Sequence, residues 1–130
     1  LIPAGAGGIV STTKDLTRFI EALFTEQLIT QESLNLMLEG EDSYFMGIMK
    51  TSFEDKIVYG HTGGYTASES SLFYYPQDSL TIAYCTNGIV LRKEDILENM
   101  LKIYHNRPFG ISMNRNLQAI LILGIELLFS

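Results

Sequence analysis

The sequence predicts an α+β protein in which helices pack on an antiparallel sheet of about three strands. Three observations support this fold class. Apolar residues recur at helical spacing in both the first and the last part of residues 1–110. Between these parts lie short apolar and aromatic runs with strand character. Two of those runs are separated only by the turn-forming sequence Pro76-Gln77-Asp78-Ser79, which predicts a hairpin.

Three helices are predicted. The first covers about residues 13–25, where Thr12 and Asp15 form a start that resembles a capping box. The second is shorter, begins after Thr30 and ends near Gly40. The third covers residues 94–104 and is followed by Pro108. Their apolar residues recur at three- and four-residue spacing: Leu16, Phe19, Ile20, Leu23 and Phe24; Leu34, Met37 and Leu38; Ile96, Leu97, Met100, Leu101 and Tyr104.

The strands lie between the second and the third helix. The period changes at Tyr44, where residues 44–49 form a short apolar run. Strands are predicted at residues 57–61, 70–75 and 80–86, the last two forming the hairpin. The aromatic residues of this region, Tyr44 included, are interpreted as core and sheet-face residues.

Composition excludes several classes of function. A hydrophobic fraction of 46% in 130 residues indicates a globular protein with its own core. The net charge of −6 gives no basic surface, which argues against nucleic acid as a partner. The single cysteine, Cys85, rules out an internal disulfide and a multi-cysteine metal site. Because it lies in an apolar strand, Cys85 is predicted to be a buried, inert thiol.

The two ends of the chain differ from its middle. The glycine-rich residues 3–8 are typical of an internal connection, so we expect the chain to be part of a longer protein. Residues 111–130 form a separate tail, and its almost wholly apolar end, residues 117–129, is shorter than a membrane-spanning helix requires. Three interpretations of the tail stay open: a core-packing helix, the start of a membrane segment, and an interfacial helix in contact with a membrane.

The most specific motif is Tyr59-Gly60-His61-Thr62-Gly63-Gly64, late in a strand and before the hairpin. It follows, in order, a glycine-rich turn, a Ser-Thr-x-x-Asp-Leu helix start at Ser11, and a short helix. This ordered set resembles the C-terminal portion of the serine β-lactamase-like hydrolases. That family includes class C β-lactamases, D-alanyl-D-alanine carboxypeptidases, penicillin-binding proteins and related esterases. The likeness covers about residues 3–107.

The resemblance implies a site on the motif strand. His61 corresponds to the cationic or proton-relaying group and Thr62 to the hydroxyl that meets a substrate carboxylate or carbonyl. Gly64 matches the position whose N–H completes the oxyanion hole. Gly63, and Tyr65 directly after the motif, would contact substrate. The fold would be an incomplete piece of the β-lactamase/transpeptidase-like fold, residues 1–110 being its C-terminal part. No cofactor and no metal are implied.

The chain departs from the family at one point of the motif. The family usually has a glycine and an aromatic residue after the second motif glycine, where this chain has Ala67 and Ser68. The altered rim of the site puts the family's substrate range in doubt for this chain. The family's Ser-x-x-Lys and Tyr/Ser-x-Asn motifs are expected upstream of the glycine-rich segment.

The sequence also contains a misleading copy of the nucleophile motif. Ser11 and Lys14 match Ser-x-x-Lys, and Tyr104 and Asn106 match Tyr-x-Asn. We reject this set because Tyr-x-Asn should precede the motif strand. Helix capping also accounts for the residues around Ser11.

The resemblance predicts a serine hydrolase that cleaves a β-lactam, a D-Ala-D-Ala peptide or a small ester through an acyl-enzyme. This chain would supply the His-Thr-Gly strand and one oxyanion donor but not the nucleophile, so it is expected to be inactive alone. The alternative is a non-catalytic binding module on the same scaffold; a self-contained enzyme that uses Ser11 is remote.

Partners and location follow from the same resemblance. The expected partner is the missing N-terminal part of the same protein. Without it, the strand at residues 80–86 would keep an unpaired edge, which favours self-association. The family's location implies the cell envelope, periplasm or extracellular space, although the chain carries no secretion signal of its own.

Overall fold

The structure is a computed structural model that describes residue 5 and residues 7–40, 43–88 and 92–110. It is an α+β fold, which confirms the predicted class. The elements follow the order α1 (Thr13–Phe24), α2 (Gln31–Met37), β1 (Met49–Phe53), β2 (Lys56–Tyr65), β3 (Ser68–Tyr75), β4 (Leu80–Thr86) and α3 (Lys93–Tyr104). The predicted tail, residues 111–130, lies outside the described residues.

Among the described residues, the sheet has four antiparallel strands in the order β1-β2-β3-β4, rather than about three. The strand missing from the prediction is β1, which pairs with β2 from Met49↔Gly60 to Phe53↔Lys56. Its turn consists of Glu54 and Asp55, both with positive φ (49° and 67°). A two-residue turn of this kind matches the twist of a hairpin but usually contains Asn or Gly. The acidic pair therefore gave no hairpin signal in the sequence.

Side-chain caps fix the starts of α1 and α2. The Thr12 hydroxyl accepts a hydrogen bond from the Asp15 N–H (3.1 Å) and donates one to the Asp15 carboxylate (2.9 Å). At α2, the Thr30 hydroxyl accepts from the Ser33 N–H (3.2 Å). Each cap satisfies an N–H group that has no partner inside the helix. Both predicted helix starts are confirmed.

The main core lies between α3 and one face of the sheet. Residues at every second position of β2, β3 and β4 point to this face, as the pleat requires. The buried residues of this core are Val58, Phe73, Tyr75, Leu80, Ile82, Tyr84, Ile96, Leu97, Met100 and Leu101. The predicted apolar stripe of the last helix is thus confirmed as a core face.

A smaller core lies on the opposite face of the sheet, where α1 packs against β3 and β4. Leu23 of α1, Leu34 of α2 and Ile48 form its buried centre. The Phe24 ring stacks on that of Tyr74, with centroids 4.8 Å apart. This core joins both N-terminal helices to the segment that precedes β1, and so determines where that segment lies relative to β2.

Two further expectations need correction. The predicted strand at residues 57–61 runs on to Tyr65, so the whole His-Thr-Gly-Gly motif lies within β2. Cys85 is exposed rather than buried. It is the sixth residue of β4, and the first five residues of that strand are buried. In the described part of the chain, no helix is long and apolar enough to cross a membrane.

Candidate functional site

The second half of β2 is paired on one side only. The β1 ladder ends at Met49↔Gly60, whereas the β3 ladder continues from Tyr59↔Tyr74 to Tyr65↔Ser68. Within the described residues, positions 61–65 therefore have a strand partner on β3 alone. Alternate residues of an antiparallel strand direct their N–H and C=O groups to each side. Among the residues that the structure describes, part of this segment's backbone therefore has no strand to pair with, as the binding of an extended or carbonyl-bearing group requires.

The five predicted site residues all lie on this half-paired segment, but their side chains divide between two faces. His61, Gly63 and Tyr65 share one face, and Thr62 and Gly64 the other, because successive residues of a strand alternate. Thr62 is half-buried opposite Ser71, on the face that α3 covers. The strand geometry brings the backbones of the five together and separates the side chains of His61 and Thr62.

The His61 imidazole is held at both ring nitrogens. Its Nδ1 lies 2.5 Å from the Thr62 carbonyl oxygen, and its Nε2 lies 3.0 Å from the Tyr44 hydroxyl. The Tyr44 and His61 rings meet edge to face, with centroids 5.6 Å apart and planes at 75°. Both residues are exposed to solvent. The pair is therefore accessible to a ligand at the open strand edge.

A tight turn presents Tyr44 to His61. Tyr44 forms an isolated antiparallel bridge with Met49. Inside the turn, the Phe45 N–H donates to the Ile48 carbonyl (2.8 Å). Gly47 has a φ of +75°, which glycine adopts without the steric cost that other residues incur. Ile48 anchors the turn because its side chain is buried in the smaller core.

The three motif glycines differ in how much space the structure leaves for a side chain at each position. A Cβ on Gly60 would lie 1.9 Å from the Leu72 carbonyl oxygen, so packing against β3 requires glycine there. A Cβ on Gly63 would lie 2.6 Å from the Ser70 hydroxyl. A Cβ on Gly64 would meet nothing closer than 3.9 Å. Packing within the described chain therefore does not account for Gly64, and such a glycine is typical of a close approach by a ligand or another backbone.

A group of hydroxyls lies behind the motif on the α3 face. Ser71 and Tyr84 are direct cross-strand partners and both are buried. Burial raises the pKa of Tyr84 above its ordinary value, and the neighbouring Ser71 hydroxyl acts in the opposite direction. Tyr84 thus stays protonated at neutral pH. Both side chains lie on the face of the sheet opposite the His61 side chain.

A separate polar cluster connects α3 with the other end of the sheet. The Lys56 ammonium donates to both oxygens of Asp78 (2.7 and 2.5 Å) and lies 3.3 Å from His105 Nε2. Arg107 forms an ion pair with Glu54. His105, the residue that follows α3, lies beside the Lys56–Asp78 ion pair. The cluster fastens α3 to the sheet.

The rejected nucleophile set has ordinary local contacts. The Ser11 hydroxyl is exposed and makes a long hydrogen bond to the Thr12 carbonyl (3.4 Å). Lys14 is exposed in the first turn of α1. Tyr104 ends α3 and lies edge to face with the His105 ring. In the residues with assigned positions, no group of three or more His, Cys, Asp or Glu side chains could hold a metal ion.

Tyr44 is the functional candidate that the sequence interpretation missed. Its aromatic neighbour Phe45 is half-buried, which fits the predicted core role, but Tyr44 itself is 53% exposed. A signal was present: Gly47 and the change of period at Tyr44 mark a turn. The sequence could not show that this turn folds back beside His61, because that contact depends on how Ile48 packs.

Comparison with protein-family models, curated proteins and solved structures gives no match for this chain.

Proposed function

We propose that the chain is the C-terminal part of a serine β-lactamase-like hydrolase and contributes the His-Thr-Gly strand to its active site. The observation that carries the proposal is the half-paired segment 61–65 of β2. It combines an open backbone edge, an accessible imidazole at His61 and a glycine at position 64 that packing does not explain. The ordered motifs around it are the second support.

The proposed reaction is acyl transfer to a serine, followed by hydrolysis. The open edge binds the scissile carbonyl, and the Gly64 N–H is one donor to its developing oxyanion. Such a donor contributes about 3–4 kcal/mol of transition-state stabilisation in other hydrolases. His61 relays protons, and Tyr65 borders the substrate. The nucleophilic serine and its lysine come from the upstream part of the protein.

The roles proposed for His61 and Thr62 differ from those that the resemblance to the family implies. Their side chains point to opposite faces of the sheet, so the Thr62 hydroxyl and the His61 imidazole do not bind the same ligand. In the proposed site, Thr62 acts through its backbone, whose carbonyl accepts from His61 Nδ1. The hydroxyl faces Ser71 and the α3 side of the sheet.

A binding module on the same scaffold is the second candidate. Two features favour it: the Ala67-Ser68 departure from the family's motif, and the separation of His61 and Thr62 on two faces. In that case the open edge would hold a ligand or an extended peptide without cleaving it. The family's cell-envelope location applies to both candidates.

The longer coding sequence and its product decide between the candidates. We expect an upstream Ser-x-x-Lys, and a fluorophosphonate adduct on that serine in the longer protein. His61→Ala is expected to slow its acylation about 10²–10⁴-fold, the usual contribution of a positioned proton-transfer group. His105→Gln, which alters the other histidine, is the matched control and should acylate at the parent rate. An upstream sequence without the serine would support the binding module instead.

A further inference from the structure

The chain leaves the described C-terminal part of the molecule from a fixed point beside α3. The Gly110 N–H donates a hydrogen bond to the side-chain oxygen of Asn99 (3.0 Å), and the Asn99 amide donates in turn to the Asp95 carbonyl (2.7 Å). Asn99 is buried although it does not belong to the apolar stripe of α3 that packs on the sheet. Residues 105–110 therefore run back along α3, and the chain continues from the flank of this helix.

Two large apolar side chains are exposed around this point. Phe109 directly precedes Gly110 and is 61% exposed, and Ile103, one helical turn after Asn99, is 37% exposed. The other exposed large apolar side chains of the described chain belong to residues 9–65. Phe109, Ile103 and Gly110 are called the exit surface below. This surface is the apolar part of the molecule that lies closest to the start of the tail.

The tail carries more apolar surface than the exit surface could cover. Residues 117–129 are apolar except for Gln118, Gly124 and Glu126. A segment that is apolar on nearly all sides is typical of a large core or of a membrane. The main core of the described chain is already filled, because the apolar stripe of α3 is buried against the sheet. Residues 111–116 link Gly110 to the apolar segment and span at most about 25 Å, so this segment starts near the exit surface.

We propose that the exit surface lies against a lipid bilayer, into which residues 117–129 insert. The contact is with the apolar interior of the membrane, because a net charge of −6 gives the chain no overall attraction to anionic headgroups. The His61 side chain lies on the face of the sheet opposite α3, so this contact leaves the candidate site open to solvent. The inference is independent of the proposed hydrolase function, and it selects membrane contact from the three interpretations of the tail.

Flotation with phosphatidylcholine vesicles tests the membrane contact on the 130-residue chain. The parent chain is expected to float with the vesicles. Ile122→Asp places a charge in the middle of the apolar segment and should weaken vesicle binding at least about tenfold. Self-association cannot produce the same result, because aggregates without lipid do not float. A parent chain that stays at the bottom of the gradient, or an Ile122→Asp variant that floats equally well, would overturn the inference.

The chain contains no tryptophan, so a single introduced indole can locate the surface that meets the lipid. Phe109→Trp places this probe on the exit surface. Phe19→Trp is the matched control, since Phe19 is 54% exposed on α1, which packs on the other face of the sheet. With vesicles that carry brominated acyl chains, the emission of Phe109→Trp should move to shorter wavelength and be quenched, whereas that of Phe19→Trp should not change. Equal quenching of both variants, or of neither, would overturn the inference.

Discussion

At the scale of single residues, the glycines of β2 differ in whether packing requires them. Gly60 and Gly64 belong to one motif and both lack a side chain, yet only Gly60 is close to the backbone of β3. The sequence could predict that the motif is glycine-rich and close to a strand. It could not show which glycine is required by the fold, because that depends on the register between β2 and β3.

The contrast between these glycines predicts different effects of the same substitution. Gly60→Ala should lower the free energy of unfolding by about 3 kcal/mol, since its Cβ would overlap the Leu72 carbonyl and crowd Phe73. Gly64→Ala should change it by no more than about 0.5 kcal/mol. Urea unfolding at pH 7 measures both. Equal losses at the two positions would contradict this assignment.

Tyr75 is fully buried, and its hydroxyl has no hydrogen-bond partner among the described residues. Burial, then the nearby carboxylates of Glu54 and Asp78, raise the pKa of Tyr75 well above its ordinary value of 10.0. Below pH 10 the phenol is protonated in the folded and unfolded states alike, so stability is unaffected. Above pH 10 the unfolded chain loses the proton first, and stability falls as pH rises.

Tyr75→Phe is therefore expected to flatten the alkaline limb of the stability curve. At pH 7 it should leave the free energy of unfolding unchanged or raise it, because it removes an unpartnered buried hydroxyl. Urea unfolding at pH 7 and at about pH 11 tests this expectation. A loss of more than about 1 kcal/mol at pH 7 would show that the hydroxyl has a partner.

At the scale of the elements, local rules in the sequence predicted the helices better than the sheet. Thr12 with Asp15, and Thr30 with Ser33, are short-range caps that the sequence displays directly. The strand β1 was missed because its turn uses Glu54 and Asp55 in place of the usual residues. The contact between Tyr44 and His61 was missed for a different reason, since it joins positions 17 residues apart through tertiary packing.

The capping contact at the start of α1 gives Thr12 a structural role that the neighbouring Ser11 does not have. Thr12→Ala should lower the free energy of unfolding by about 1 kcal/mol, because the Asp15 N–H loses its acceptor. Ser11→Ala is the matched control and should leave stability within about 0.5 kcal/mol of the parent. Thermal or urea unfolding measures both variants. A larger effect at Ser11 would show that the capping residue has been misassigned.

At the scale of the whole molecule, the part of the sheet that the structure describes ends at β4. In the described residues β4 pairs with β3 alone, and its sequence contains neither a charged residue nor a proline. Natural edge strands usually carry such residues, which discourage pairing with another chain. Residues 80–84 of β4 are buried, so along this stretch the feature that lacks a partner among the described residues is the backbone edge.

The isolated chain is therefore expected to self-associate through β4. Light scattering should show an average mass that rises with concentration. Cys85→Lys adds a charge at an exposed position of this strand and should shift the chain toward monomer without loss of the fold. A clean monomer at high concentration in the parent chain would contradict the prediction.

The central claim is that this chain carries the substrate-binding strand of a hydrolase but not its nucleophile. The most direct test is intact-mass analysis of the purified 130-residue chain after incubation with a fluorescent penicillin and, separately, with a fluorophosphonate. The account predicts no covalent adduct with either reagent. A stoichiometric adduct that maps to Ser11 would contradict it, because Ser11 and Lys14 would then be a working nucleophile pair.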